Sequence, residues 1–542
     1  MNTIISQINQ GTKDIFIHVI LPYVEEEDLQ AYSQINQECE NYSYECFIDD
    51  RDIKMKINFI KHHPNIVGCS FNIDIIEEKK ENGNMHTVNL PHDGLKYLNP
   101  NTLKNLFVDS YDIVVDINRF INITNLYILC NNLIESHDIA QLTKLECLIL
   151  ETSHGITGEA FKNMPNLKEM TVSWRDCSED FFTYLTNLEK LSISADSVVK
   201  SEDLKQLIHL KYLDVGNCEN IKYIPAEISS NLEHLSLSDN ETILELIHPE
   251  KLKTFFVHRD SWIGDEIIGS MINLEELSIG SCDNITGKAI VNLSKLKKLE
   301  LFNLKNVQDD CFINLSNLKE LKLDNLKITG KSFNNLQKLR KLTIRSMKNL
   351  TDEAFISMSN LKYLEIENCE NLTDKMFETL TNLVYLDIKS DYYDEPQYYS
   401  FTCKIFENLR KLEELSIANC NKMTDFKKYS SFENNLKSLK ILDISNCKNL
   451  TNNFFHNLVN LESLHIRGID EKSKFHDILT NRLFKNMGKL RVIWVFNCHN
   501  ISNKFYKFLP NPYLLRDLRF SQDMHITDKI LKKFPNIYHS SD

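Results

Sequence analysis

The chain has 542 residues, 42% hydrophobic and 25% charged, the balance of a folded domain rather than of a disordered or membrane-embedded one. Its 62 Lys and Arg against 76 Asp and Glu give a formal net charge of −14. That argues against nucleic acid or an anionic membrane as main partner, because both reward clustered basic side chains. No apolar run approaches the ~20 residues of a membrane helix, and the opening MNTIISQINQGTKD has no signal-peptide pattern, so an intracellular protein is expected, cytoplasmic with a nuclear site left open.

Residues 1–50 read as two or three short helices. Ile15, Phe16, Val19 and Ile20 lie on helical spacing, and Pro22 breaks it. Asp28 opens a second amphipathic stretch behind Glu25, Glu26 and Glu27, where carboxylates suit a helix start. The stretch IFIHVILPYVEEEDLQAYSQINQEC resembles an F-box in the order His18-Val19-Ile20, Tyr23-Val24, Asp28-Leu29 and Tyr32-x-x-Ile35. It lacks the usual Leu-Pro opening and carries one extra residue between His18 and Tyr23. The resemblance implies contact with a Skp-type adaptor through Ile20, Leu21, Val24 and Leu29, with Pro22 setting the turn. The same residues also suit a plain helical cap over the first repeat.

Residues 51–102 form a transition. Ile66-x-x-Cys69-x-Phe71 reads as a degenerate first repeat, and the polar run Glu77 to Asp93 as a loop with too little apolar surface to offset its ordering entropy.

From Leu103 onward one frame recurs. In Leu339 to Asp374, Leu339, Leu342 and Ile344 return as Leu361, Leu364 and Ile366, and Leu350-Thr351-Asp352 as Leu372-Thr373-Asp374, each 22 residues later. A period of this length in the frame L-x-x-L-x-L is the signature of leucine-rich repeats. First positions fall at 103, 123, 145, 167, 188, 210, 232, 252, 274, 296, 318, 339, 361 and 383, then at 412, 439, 461, 490 and 515, which makes 19 repeats in residues 103–542 with a C-terminal cap. The expected fold is therefore α/β: a curved horseshoe solenoid with parallel inner strands and outer helices, preceded by the small helical F-box-like segment. Strand spacing of ~4.8 Å against nearly twice that for packed helices would force the curvature. Thr351 is the expected helix cap, with Ala354, Phe355 and Met358 on the buried face.

The fourteen cysteines contain no C-x-x-C pair, and Cys218, Cys282, Cys369, Cys420, Cys447 and Cys498 share one repeat position that other repeats fill with residues such as Leu304 or Met347. They are expected to be free and buried, not metal ligands. Together with the Thr-Asp segment they resemble the cysteine-containing class of repeat found in F-box proteins.

Period two turns the third, fifth and seventh residues of each repeat outward, toward the concave face. Candidate target-binding residues there are Phe256 and His258, Tyr363 and Tyr385, and Trp494 and Phe496, with Trp174 beside Glu169, Thr171 and Ser173. Large aromatics at such positions suit interface hot spots. Two insertions break the period, the tyrosine-rich Ser390 to Thr402 and the run Gly468 to Arg482, both at rims where function collects. No phosphate-binding glycine loop, G-x-S-x-G elbow or H-E-x-x-H occurs, and acids such as Glu365, Glu367 and Asp387 suit a basic partner better than catalysis, so neither an enzyme nor a cofactor is expected.

The resemblance implies a substrate receptor of a cullin-RING ubiquitin ligase, holding an unidentified protein target. The alternatives are a repeat scaffold or inhibitor with a helical cap and no ligase link, and a small-molecule sensor.

Overall fold

The structure, a computed structural model, describes most of residues 103–520, and before them the backbone of 44–48, 66–72, 78–79 and 85–86 with Pro100 and Asn101. Residues 1–43, 521–542 and several internal stretches, the longest being 49–65, 87–99, 390–398, 424–434 and 468–478, lie outside the described residues. Ile20, Leu21, Pro22, Val24, Leu29 and Trp174 fall there, with most of both insertions and the expected C-terminal cap. The chain divides into two compact units, Met1–Leu252 and Lys253–Asp542.

In the first unit β1 (Tyr44–Ile48) pairs in parallel with β2 (Ile66–Asn72), and β2 with β5 (Asn105–Asp109). Between them β3 (Glu78–Lys79) and β4 (Met85–His86) form a short antiparallel pair inside the expected polar loop. The parallel ladder continues through β6 (Asn125–Leu129), β7 (Cys147–Glu151), β8 (Glu169–Ser173), β9 (Lys190–Ile193), β10 (Tyr212–Asp214) and β11 (His234–Ser238).

The second unit repeats the pattern with β12 (Thr254–His258), β13 (Glu276–Gly280), β14 (Lys298–Phe302), β15 (Glu320–Asp324), β16 (Lys341–Arg345) and β17 (Tyr363–Glu367). It goes on through β18 (Tyr385–Lys389), β19 (Glu414–Ala418), β20 (Ile441–Ser445), β21 (Ser463–Arg467), β22 (Val492–Phe496) and β23 (Asp517–Phe520). Each pairs in parallel with the next, like on like, as in Leu342 opposite Leu364 opposite Leu386. The insertion after β18 leaves this untouched, since Tyr385 still faces Glu414.

Every one of the 19 period starts is followed, two residues on, by a strand. At the expected degenerate repeat, β2 sets Cys69 and Phe71 opposite Leu106 and Val108. One more strand lies ahead of it: Cys46 and Ile48 face Cys69 and Phe71, at the end of the segment for which helices are expected.

The outer helices differ from expectation. Most are 3₁₀ turns of three to six residues, such as Asp309–Phe312, Lys331–Asn335, Asp352–Phe355 and Asn481–Asn486. Only Ser136–Ile139, Ala226–Ser229 and Asp265–Ser270 are α-helical among the described residues. Neighbouring strands sit ~4.8 Å apart, whereas packed α-helices need 8–10 Å, so the narrower turn stacks with less conflict. The buried face is the expected one, with Ala354, Phe355 and Met358 all closed to solvent. Successive turns interlock phenylalanines edge to face, as in Phe312 on Phe333 at 4.9 Å.

Polar side chains tie each repeat to the next. Asp309 accepts from the Thr329 N–H at 3.1 Å, its hydroxyl at 2.8 Å and the Gly330 N–H at 2.7 Å. Asp352 holds Thr373 in the same way, and Asp374 holds Thr402. Thr351 occupies its cap position without a side-chain cap bond, unlike Thr373 and Thr402. In the second unit the residue after a strand takes a positive φ wherever that residue is described, as at Asn303, Asn325, Asn368 and Asn446, and in these four its N–H reaches a carbonyl of the following strand. Asparagine tolerates that left-handed geometry better than most side chains.

The six aligned cysteines are all buried, each S–H turned back on the carbonyl two residues earlier, as in Cys369 to Glu367 at 3.3 Å. Burial pushes the Cys369 and Cys498 thiols up to about 12. Native protein should therefore leave these thiols unlabelled by maleimide while half-buried Cys147 reacts first among the described cysteines, as peptide mapping would show. Leu364, which has no exposed surface, should cost ~2–5 kcal/mol on truncation to alanine, measured by denaturant unfolding.

Candidate recognition face

The parallel register puts the third, fifth and seventh residues of successive repeats into three columns on the face opposite the turns. Like positions lie one strand spacing apart, which is also the distance of stacked rings, so aromatic residues in adjacent repeats lie flat on each other. Tyr363 and Tyr385 stack at 4.0 Å and 3°. His465 lies on Trp494 at 4.2 Å and 9°, and in the first unit Tyr212 lies on His234 at 3.8 Å and 2°.

Each stack is closed by a cation. Lys341 sits 4.7 Å from the Tyr363 ring, Lys190 5.2 Å from Tyr212 and Arg519 4.4 Å from Trp494. His258 and Phe302 approach to 5.7 Å across an intervening repeat. Gly280 makes that possible, because a Cβ there would lie 2.5 Å from His258 Nδ1. Lys322 covers the other side of Phe302 at 5.0 Å, and Arg467 lies 5.7 Å from Phe496.

Of the sequence candidates, Phe256, His258, Tyr363, Tyr385, Trp494 and Phe496 all lie on this face and are half-buried. The structure brings Tyr363 to Tyr385, and His258 turns to Phe302. Glu169 is exposed and Thr171 half-buried. Missed in the sequence were Tyr212 with His234, His465 as partner of Trp494, and the closing cations. A column-by-column comparison of the third and fifth residues shows all of them.

Carboxylates complete the stacks. The Tyr363 hydroxyl donates to Glu365 at 2.6 Å, and burial, reinforced by that bond, raises its pKa. The Tyr385 hydroxyl donates to Asp387 at 3.3 Å, and the Trp494 indole N–H donates to Asp517 at 2.9 Å. Arg345 Nε lies 3.0 Å from Glu367, and Lys389 pairs with Asp387. Among the described residues no group of three or more His, Cys, Asp or Glu side chains is placed to hold a metal ion.

Burial under the Tyr212 stack, together with nearby Lys190, lowers the His234 pKa from 6.5 to about 4. The folded state thus resists the proton that the unfolded chain accepts, so this histidine erodes stability as pH falls from 6.5 toward 4 and has no effect above that window. His234→Gln should flatten the fall in melting temperature across that window, read as the difference between wild-type and variant melts.

A family model described as a leucine-rich repeat region matches residues 192–397. No curated protein matches the chain. Among solved structures, the chain is similar to one titled the TLR13–ssRNA13 complex, at 19% identity and a TM-score of 0.53, covering 80% of this chain and 68% of that one. It is also similar to an internalin (inlF) from Listeria monocytogenes, at 17% identity, covering 70% of this chain and 89% of that one, though a TM-score of 0.33 gives that likeness no weight. Nineteen strands set two residues beyond nineteen period starts, a matching repeat model and a shared architecture make this fold a leucine-rich-repeat solenoid.

Proposed function

We propose that this chain is a protein-recognition module that binds its target on the three outward columns of the strand ladder. The observation that carries the reading is the half-exposed aromatic stacks, held rigid by the ladder and framed by cations and carboxylates. Such anchors lose little conformational freedom on binding and offer both apolar area and directional bonds. The carboxylates here already pair with Lys and Arg, Glu300 and Asp387 within their own strands and Glu367 across to Arg345, an arrangement that suits a charged partner surface better than acid–base chemistry, so binding without catalysis or cofactor is our reading. Nucleic acid is not the proposed ligand, given the net charge of −14.

Within that reading, the F-box-like stretch makes the chain a substrate receptor of a cullin-RING ligase, working in the cytoplasm. The stretch would dock a Skp-type adaptor while the repeats hold the target. A second reading has a specific observation behind it: β1 ends the described ladder, and a sheet edge needs a cover. A plain helical cap from the preceding residues would supply one in a scaffold or inhibitor with no ligase link.

Two measurements test these claims. Photo-cross-linking in cell extract should give target adducts that Tyr363→Ser with Trp494→Ser abolishes without lowering cooperativity of the melt; unchanged adducts would remove the face from the reading. Separately, wild-type protein should co-purify with adaptor and cullin, and Pro22→Ala with Leu29→Ala should end that without shifting the melt. A loss of several kcal/mol in stability from the same pair, with no adaptor bound by wild type, supports the cap instead.

A further inference from the structure

The stack of Lys341, Tyr363 and Tyr385 has an open end. Lys341 covers one side of Tyr363, and Tyr363 covers one face of Tyr385. The opposite face of Tyr385 looks toward β19, where its register partner is Glu414. Beyond it in the next column stand Ser416 and Asp443. On the outward positions of β17 to β20 five carboxylates meet a single lysine, Lys389. Arg345 of β16 answers Glu365 and Glu367, and Lys389 answers Asp387. Glu414 has no ion pair among the described residues, and Asp443 lies 3.7 Å from His465.

Asp387 is the second, independent sign. Its side chain points to the same face as Tyr385, yet it is only 2% exposed. Lys389 and the Tyr385 hydroxyl both engage Oδ2, while Oδ1 is buried with no hydrogen-bond partner. A buried carboxylate oxygen left unpaired is costly and asks for a donor.

The fold already contains the chemistry that would close this end. At the other stack Arg519 lies 4.4 Å from the Trp494 ring and 3.3 Å from Asp517, which also accepts a hydrogen bond from the indole N–H. A guanidinium there satisfies a ring face and a carboxylate at once. Resting on the recognition reading above, we propose that the open face of Tyr385, with Asp387, Glu414 and Asp443, receives an arginine from a basic segment of the target protein. The guanidinium lies flat on the ring and forks its N–H groups to the carboxylates, a geometry that an ammonium cannot match.

The test is fluorescence anisotropy on the full chain with a labelled peptide of alternating arginine and glycine. Lysine and citrulline versions serve as comparators, at two salt concentrations. The arginine peptide should bind tightest, and Asp387→Asn and Glu414→Gln should each weaken it by about tenfold, the scale of a lost charge-assisted bond. Asp283→Asn, which removes an equal charge at an exposed turn, should leave binding unchanged. If Asp387→Asn fails to fold, Glu414→Gln and Tyr385→Leu decide. Equal binding of the arginine and citrulline peptides, no binding at all, or equal loss in Asp283→Asn would overturn the proposal. Should it be overturned while Tyr363→Ser with Trp494→Ser still abolishes target adducts, the arginine assignment falls and the recognition reading stands.

Discussion

Everything in this molecule depends on each repeat lying on its predecessor without a shift of register. A single repeat has one short strand and one turn, and neither can bury its leucines alone. Once Leu364 sits opposite Leu342 and Leu386, the core closes and every other like position is brought to one strand spacing. The register is then enforced three times over. Leucines fix the interior, Asp–Thr bonds fix the turns, and in the second unit the positive-φ residue fixes the strand exits that are described.

The same spacing builds the functional face. Parallel rings stack at nearly the distance between strands, so two aromatics in one column of adjacent repeats need no special packing to meet. What distinguishes the stacks is how they end. His465 and Trp494 end on Arg519, and Phe302 ends on Lys322. Tyr385 ends on carboxylates. A face assembled from columns therefore carries its specificity at the positions where a column changes character.

Much of this was legible in residues 103–520 because leucines at fixed intervals signal a strand directly. The strand Tyr44–Ile48 was not, since Cys46 and Ile48 stand in for leucine and nothing before them repeats. The turns were misread as helices because Ala354, Phe355 and Met358 satisfy a helical spacing. That spacing cannot reveal that strands at ~4.8 Å leave too little width for α-helices to pack. Tyr363 with Tyr385 could be seen from sequence, while the open end beside Asp387 could not, because an unpaired oxygen is a property of geometry. Trp174 and the F-box-like residues Ile20 to Leu29 fall outside the described residues, and their reading still rests on the sequence.

The side-chain bonds between repeats also bear on how such a chain finds its structure. The ties from Asp309 to Thr329, Asp352 to Thr373 and Asp374 to Thr402 span 20, 21 and 28 residues, no further than the neighbouring repeat. Within each unit, order can start wherever two repeats first pair and spread outward by templating, each step closing a loop of similar length. The entropic cost of each closure therefore does not grow as the array lengthens.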